Sequence, residues 1–183
     1  MRIITAPEEY IPENGDVKIF LAGGITDCPN WQKDVINIIK QELIDESPKQ
    51  ELVLFNPRRD NFDIKKDSPK QQIEWEFKHL TNMDGFSMFF SKGESLQPIC
   101  LYELGRYFSR MNFLYKSDWP YRIAITVEKG YKRSQDVYYQ LINDIIYEDT
   151  LNLFYKQVDN DATRIHAGAI IKLYKYLRRK NFR

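Results

Sequence analysis

Gly85-Phe86-Ser87-Met88-Phe89-Phe90 and, after a short loop, Gln97-Pro98-Ile99-Cys100-Leu101-Tyr102-Glu103-Leu104-Gly105-Arg106-Tyr107-Phe108 decide the fold. The first run is apolar at nearly every position, as a strand covered on both faces must be. The second opens with Pro98, whose fixed φ suits the first turn of a helix. Leu101, Leu104, Phe108 and Met111 then repeat at helical spacing, which leaves Glu103 and Tyr107 off the buried stripe. A buried strand running into a helix is half of a parallel crossover unit. Glu103 falls within the first two turns of that helix, at the edge where strands of a parallel sheet end. It is the candidate nucleophile.

Upstream, Val17-Lys18-Ile19-Phe20-Leu21-Ala22 reads as another buried strand and runs into Gly23-Gly24. Two glycines there let the backbone pass close to a ligand, or simply make a tight turn; the dinucleotide pattern Gly-x-Gly-x-x-Gly is absent. A helix follows over about Trp31 to Ile44, capped by Asn30 or Asp27. Glu51-Leu52-Val53-Leu54-Phe55 is the next strand and ends in Asn56-Pro57-Arg58-Arg59-Asp60. Paired arginines after a strand suit a polar or anionic ligand; the alternative is an ion pair with Asp60 or Asp63 in a solvated loop. Residues 60–70 form a charged loop.

Ser68-Pro69-Lys70-Gln71 carries the marks of a helix start. Behind it Ile73, Phe77 and Leu80 mark a buried stripe, and Glu76 lies on the same side. Burial would raise its carboxyl pKa, as a general acid requires; alternatively Glu76 sits at the edge of the stripe and pairs with a lysine or arginine. Glu103, near a helix N-terminus, is expected to be held ionised. One carboxyl pushed towards protonation and one towards ionisation is the pattern of an acid and a nucleophile. His79 follows Glu76 at Glu-x-x-His spacing, a metal-bundle pattern. With His166 the one other histidine, no metal site is expected, and His79 reads as a partly exposed helix residue.

Downstream, Tyr121 to Val127 is a strand and residues 128–133 a loop. Ser134 to about Tyr147 is a helix with Val137, Leu141 and Ile145 inward. Leu151 to Phe154 is a short strand. A helix from Ala162 to Arg179 buries Ile165, Ala169, Leu173 and Leu177 and ends in a basic tail. Residues 1–15 read as a surface arm. Strands and helices alternate without repeat or linker, so residues 1–183 make one doubly wound α/β domain, a five-stranded parallel sheet with helices on both faces. Residues 162–183 supply its C-terminal helix and tail. In such sheets the ligand sits outside the carboxyl ends of the strands. Gly23, Gly24, Arg58, Arg59, the 91–97 loop with Ser95 and Gln97, Glu103 and the 128–133 loop belong to that edge.

Composition sets bounds. The chain has 183 residues, 43% hydrophobic and 29% charged, with a net charge of +1 from 27 basic and 26 acidic side chains. These are globular values, and no strong field points to a nucleic-acid or membrane partner. No run approaches the ~18 apolar residues that span a bilayer. Cys28 and Cys100 are too few for a disulfide scaffold, and a reduced, cytoplasmic setting is the simplest reading.

Ile19-Phe20-Leu21-Ala22-Gly23-Gly24-Ile25, Phe55-Asn56-Pro57-Arg58-Arg59, Gln72-Ile73-Glu74-Trp75-Glu76, Met83-Asp84 and Tyr102-Glu103-Leu104-Gly105 occur in an order that resembles the nucleoside 2-deoxyribosyltransferases. Val127 to Arg133, with Asp136-Val137, is similar to one branch of that superfamily. Each motif is loose alone; their order over residues 17–137 carries the likeness. The resemblance implies a flavodoxin-like fold and cleavage of the N-glycosidic bond of a nucleoside or nucleotide, with no cofactor. It maps the attacking carboxylate onto Glu103 and the acid at the leaving base onto Glu76, eight residues before Asp84. The glycosyl-enzyme would then be resolved by a second base, in a transferase, or by water, in a hydrolase. Phe20, Gly23, Gly24, Asn56, Arg58, Arg59, Ser95 and Gln97 would surround the substrate.

Three positions depart from the family. Its usual aspartate is replaced by Glu76, its first-strand tyrosine by Phe20, and its aspartate or serine six residues before the nucleophile by Gln97, which can still bind a sugar hydroxyl. The resemblance further implies a homo-oligomer, a dimer or larger. The alternative function is a nucleotide-binding or sensing module that keeps the fold without turnover.

Overall fold

The computed structural model describes residues 1–46, 51–60, 69–143 and 148–180. Six strands, all parallel, form one sheet in the order β1-β3-β2-β4-β5-β6. They are β1 (Arg2–Thr5), β2 (Val17–Gly23), β3 (Leu52–Asn56), β4 (Gly85–Phe90), β5 (Ile123–Glu128) and β6 (Tyr155–Val158). The helices are α1 (Trp31–Glu42), α2 (Pro69–Thr81), α3 (Pro98–Tyr115), α4 (Ser134–Asn143), α5 (Glu148–Phe154) and α6 (Ala162–Lys180), with a 3-10 segment at Lys116–Arg122.

The central strands are apolar on both sides because both sides are covered. Phe20, Phe55, Phe86, Met88 and Phe90 meet Trp75 of α2, Leu104 and Phe108 of α3 and Val137 of α4 on one face. Ile19, Leu21, Leu54 and Phe89 meet Trp31, Val35 and Ile39 of α1 and Ile170, Tyr174 and Leu177 of α6 on the other. Two cores thus lie back to back across the sheet, the arrangement expected of a doubly wound domain. The order reverses at β2, flanked by β3 and β4, so a crevice opens at its carboxyl end.

Several boundaries and faces differ from the sequence reading. The expected surface arm of residues 1–15 contains β1, which pairs in register with β3 from Arg2↔Val53 to Thr5↔Asn56 and makes the sheet six-stranded. Arg2 is held there by Asp16, Glu13 and Glu51, side chains that a strand pattern does not reveal. The expected strand Leu151 to Phe154 is the helix α5; Leu151 and Phe154 are both buried, three residues apart, which is helical and not strand spacing. The strand follows at Tyr155. Ser68, the expected cap of α2, and residues 144–147 at the end of the expected fourth helix lie outside the described residues.

The stripe on α2 is turned. Ile73 and Phe77 are 63% and 48% exposed, and Trp75, His79 and Leu80 are the residues inside. The larger ring surfaces take the core: His79 stacks on Phe55 at 4.1 Å, and Trp75 Nε1 donates to the Glu8 carbonyl at 2.7 Å. His79 is therefore buried, not partly exposed, and burial lowers its pKa to about 4. On α3 Tyr107 joins the buried face, and on α6 Ile165 leaves it while His166 enters. The basic end of α6 is paired at the protein surface, Lys175 and Arg178 with Glu46 and Lys180 with Asp118. Among the described residues no helix is long and apolar enough to cross a membrane.

Candidate active site

Strand β2 delivers Phe20 and Ala22 to the edge of the sheet and ends at Gly23, whose φ of +150° is a conformation side chains rarely adopt. A Cβ there would run into the Phe89 carbonyl oxygen and lie 2.6 Å from the Trp31 ring. Trp31 fixes this corner from α1. Its ring stacks on Phe89 at 4.9 Å, and its Nε1 donates to the Gly24 carbonyl at 3.0 Å.

Arg58 closes the same corner from the segment after β3. Its Nη2 donates to the carbonyls of Gly24, Ile25, Cys28 and Pro29 at 3.2, 2.9, 3.2 and 3.0 Å. The guanidinium is thus spent on the loop after β2 instead of being presented to the cavity. Asn56 is equally occupied, its Oδ1 accepting from the Arg58 backbone N–H at 3.1 Å. Arg59 donates to Gln71 Oε1 at 3.0 Å.

The cavity at this edge has a volume of about 370 Å³. Phe20, Gly23 and Gly24 form its β2 side, Ser95 and Gln97 the loop after β4, and Glu76 and Glu103 project from α2 and α3. Asn56, Arg58 and Arg59 stand outside the lining. Pro57, Thr26 and Cys100, which pattern reasoning did not single out, are part of it. Gln97 enters α3 in the left-handed region at φ 47°, and its Nε2 donates to the Ser91 carbonyl at 2.8 Å. The side chain is buried at 4% exposure, so it is part of the wall.

The two carboxyls interact. Burial first, and then the like charge of Glu76, push Glu103 up to about 8. Burial also raises Glu76, offset in part by the hydrogen bond from Gln72 and by the charge of Arg59. The expectation that Glu103 is held ionised is therefore corrected. Glu103 is the sixth residue of α3, beyond the first turn where a helix N-terminus acts on a charge. Desolvation in the cavity outweighs the remaining dipole.

Gln72 is a further polar group at this site. Its Nε2 donates to Pro57 O and to Glu76 Oε1, both at 2.7 Å. The signal for it in the sequence is the Gln72-x-x-x-Glu76 spacing, which puts both side chains on one helix face. Among the described residues no cluster of His, Cys, Asp and Glu could hold a metal ion.

Residues 16–114, more than half of the chain, match the family described as nucleoside 2-deoxyribosyltransferase like, and the chain belongs to that family. That span runs from the start of β2 almost to the end of α3 and so includes every lining residue named above. No curated protein matches. Among solved structures the chain is similar to the flavoenzyme NAD(P)H:(acceptor) oxidoreductase FerB of Paracoccus denitrificans, at 10% identity over 90% of this chain and 98% of that one. The TM-score of 0.36 is too low for anything about this chain to follow from it.

Proposed function

We propose that the protein cleaves the N-glycosidic bond of a nucleoside through a covalent glycosyl-Glu103. The observation that carries this is the meeting of Glu76 and Glu103, from two different helices, at one cavity and with coupled charges. Near neutral pH such a pair holds about one proton between its members. That proton rests mainly on Glu103; in the reactive form it has passed to Glu76, which leaves Glu103 ionised. A Glu103 oxygen bonds to the anomeric carbon as the bond to the base breaks. The electron pair leaves with the base, and Glu76 delivers its proton to the base nitrogen. Attack on the anomeric carbon by a second base or by water releases Glu103, and Glu76 recovers the proton from that nucleophile.

The ionisable groups among the described lining residues are Glu76, Glu103 and Cys100, with no lysine or arginine. This supports an uncharged nucleoside over a 5′-phosphate. Association of copies belongs to the same reading, supported by the exposed Ile73 and Phe77 on α2 and Ile99 and Tyr102 on α3, of which Ile99 lines the cavity. The free thiols of Cys28 and Cys100 support a cytoplasmic setting.

A second reading, a binding module without turnover, is favoured by one observation: a nucleophile at about 8 is mostly protonated at neutral pH. Incubation with deoxynucleosides and their 5′-monophosphates, with and without a free second base, decides. Released base marks a hydrolase and exchanged base a transferase. Binding without either, or turnover by Glu103→Gln at the wild-type rate, defeats the glycosyl-enzyme.

A further inference from the structure

Gln72 has a geometry that leaves little freedom. Pro57 offers a carbonyl oxygen, which can only accept, and Gln72 lies 2.7 Å from it. The end of the Gln72 amide facing Pro57 is therefore the nitrogen. The same nitrogen lies 2.7 Å from Glu76 Oε1, so its two hydrogens serve two acceptors, one on the segment after β3 and one on the carboxyl. Gln72 Oε1 is buried without a hydrogen-bond partner among the described residues. Turning the amide over would set its oxygen against the Pro57 carbonyl oxygen, which has no hydrogen to offer, so the nitrogen cannot be exchanged for the oxygen.

We propose that Gln72 is a positioning residue for Glu76. Anchored to the Pro57 carbonyl, its amide holds the Glu76 carboxyl at the cavity, across from Glu103. The proposal rests on the reading of Glu76 as the proton donor and adds what makes it one. When Glu76 gives its proton to the leaving base, the carboxylate left behind accepts the Gln72 N–H as a charge-assisted bond, stronger than the bond to the neutral acid. The interaction thus grows along the reaction, which is the kind that lowers a barrier.

The other charged or titratable groups acting on Glu76 are Arg59, from the segment after β3, and Glu103 and Cys100 of α3. Arg59 favours the ionised carboxyl, and Glu103 opposes it. Gln72 is the one side chain among those described that both favours the ionised form and fixes the position of an oxygen.

The test is Gln72→Met, which keeps the length and removes the N–H. Its kcat is expected to fall roughly 10-fold or more with KM nearly unchanged, and the alkaline limb of the rate profile to move up by roughly half to one pH unit. The limb moves up because an acid that loses its donor keeps its proton longer. Infrared titration of the Glu76 carboxyl, assigned by difference against Glu76→Gln, reads the same upward shift without substrate. It therefore decides even if the chain turns over no nucleoside, and it separates this proposal from the proposed function. A limb and a carboxyl titration that both stay at their wild-type positions overturn it, whatever the change in melting temperature. Should Gln72→Met not fold, Gln72→Ala carries the same expectations.

Discussion

Glu103 on α3 carries the charge of Glu76 on α2 as the second cause, after burial, that pushes its carboxyl up to about 8. Removing the like charge should therefore lower it. In Glu76→Gln the Glu103 titration is expected to move below 8 while staying above the ordinary carboxylate range, since burial remains. An unchanged titration would separate the two groups. In the wild type, kcat/KM should fall above about 8, by up to about tenfold per pH unit, as the pair loses the proton that Glu76 must deliver. Glu76→Gln should also slow base departure by roughly 10²–10⁴-fold.

His166 gives the fold a dependence on acid. It is fully buried, with Nε2 2.8 Å from Ser87 Oγ and Nδ1 2.9 Å from Thr126 Oγ1. Burial drives its pKa down to about 3. Below the ordinary value of 6.5 the unfolded chain binds a proton that the folded chain refuses. Stability from this group is thus complete above 6.5 and falls between 6.5 and about 3, by up to about 1.4 kcal/mol per pH unit. The raised Glu103 works the other way, the folded chain taking its proton first as pH drops through about 8. The measurement is therefore a comparison: chemical unfolding at several pH values should show a flatter acid slope in His166→Gln than in the wild type. Parallel slopes would contradict it.

Arg58 supports four backbone carbonyls of the loop that lines the cavity. Arg58→Ala leaves those carbonyls short of donors and should cost about 1–3 kcal/mol in denaturant unfolding. Because Gly24, Ile25 and Thr26 line the cavity, nucleoside KM should rise as well. A wild-type unfolding midpoint together with an unchanged KM would return Arg58 to a surface role.

Ile73 and Phe77 of α2 and Tyr102 of α3 present exposed apolar surface, as does Ile99, which also lines the cavity. Arg106 lies over the Phe77 ring at 4.8 Å, so the outer faces of α2 and α3 are continuous. Light scattering is expected to find a dimer or larger assembly, and Phe77→Glu to shift it towards monomer. A wild-type chain that is monomeric at tens of micromolar would remove this face as an interface.

Much of this was legible in the residues. The fully apolar strands Val17–Ala22 and Gly85–Phe90, the proline at the start of α3 and the strand-helix alternation lead to a parallel sheet with a crevice at its carboxyl edge. Glu103, Gly23, Gly24, Ser95 and Gln97 could be assigned to that edge from the pattern, Glu76 and Phe20 to the site from the family resemblance, and each lines the cavity. Arg58 could not be read correctly, because a guanidinium that serves a ligand and one that serves four carbonyls have the same sequence. The face of α2 was misread because periodicity weighs Ile73 and Phe77 above His79. The aromatic surface of Phe55 reverses that order, and Phe55 belongs to a distant strand.

What the sequence determined by itself is the order of elements and which chemical groups lie at the strand ends, since both follow from local spacing and local backbone preference. What only the tertiary structure decided is the state of those groups. The proton affinity of Glu103 depends on desolvation and on a carboxylate from another helix. The hold on Glu76 depends on Gln72 reaching a carbonyl across a loop. Burial and charge act through space, and distance through space is fixed only once the chain has folded.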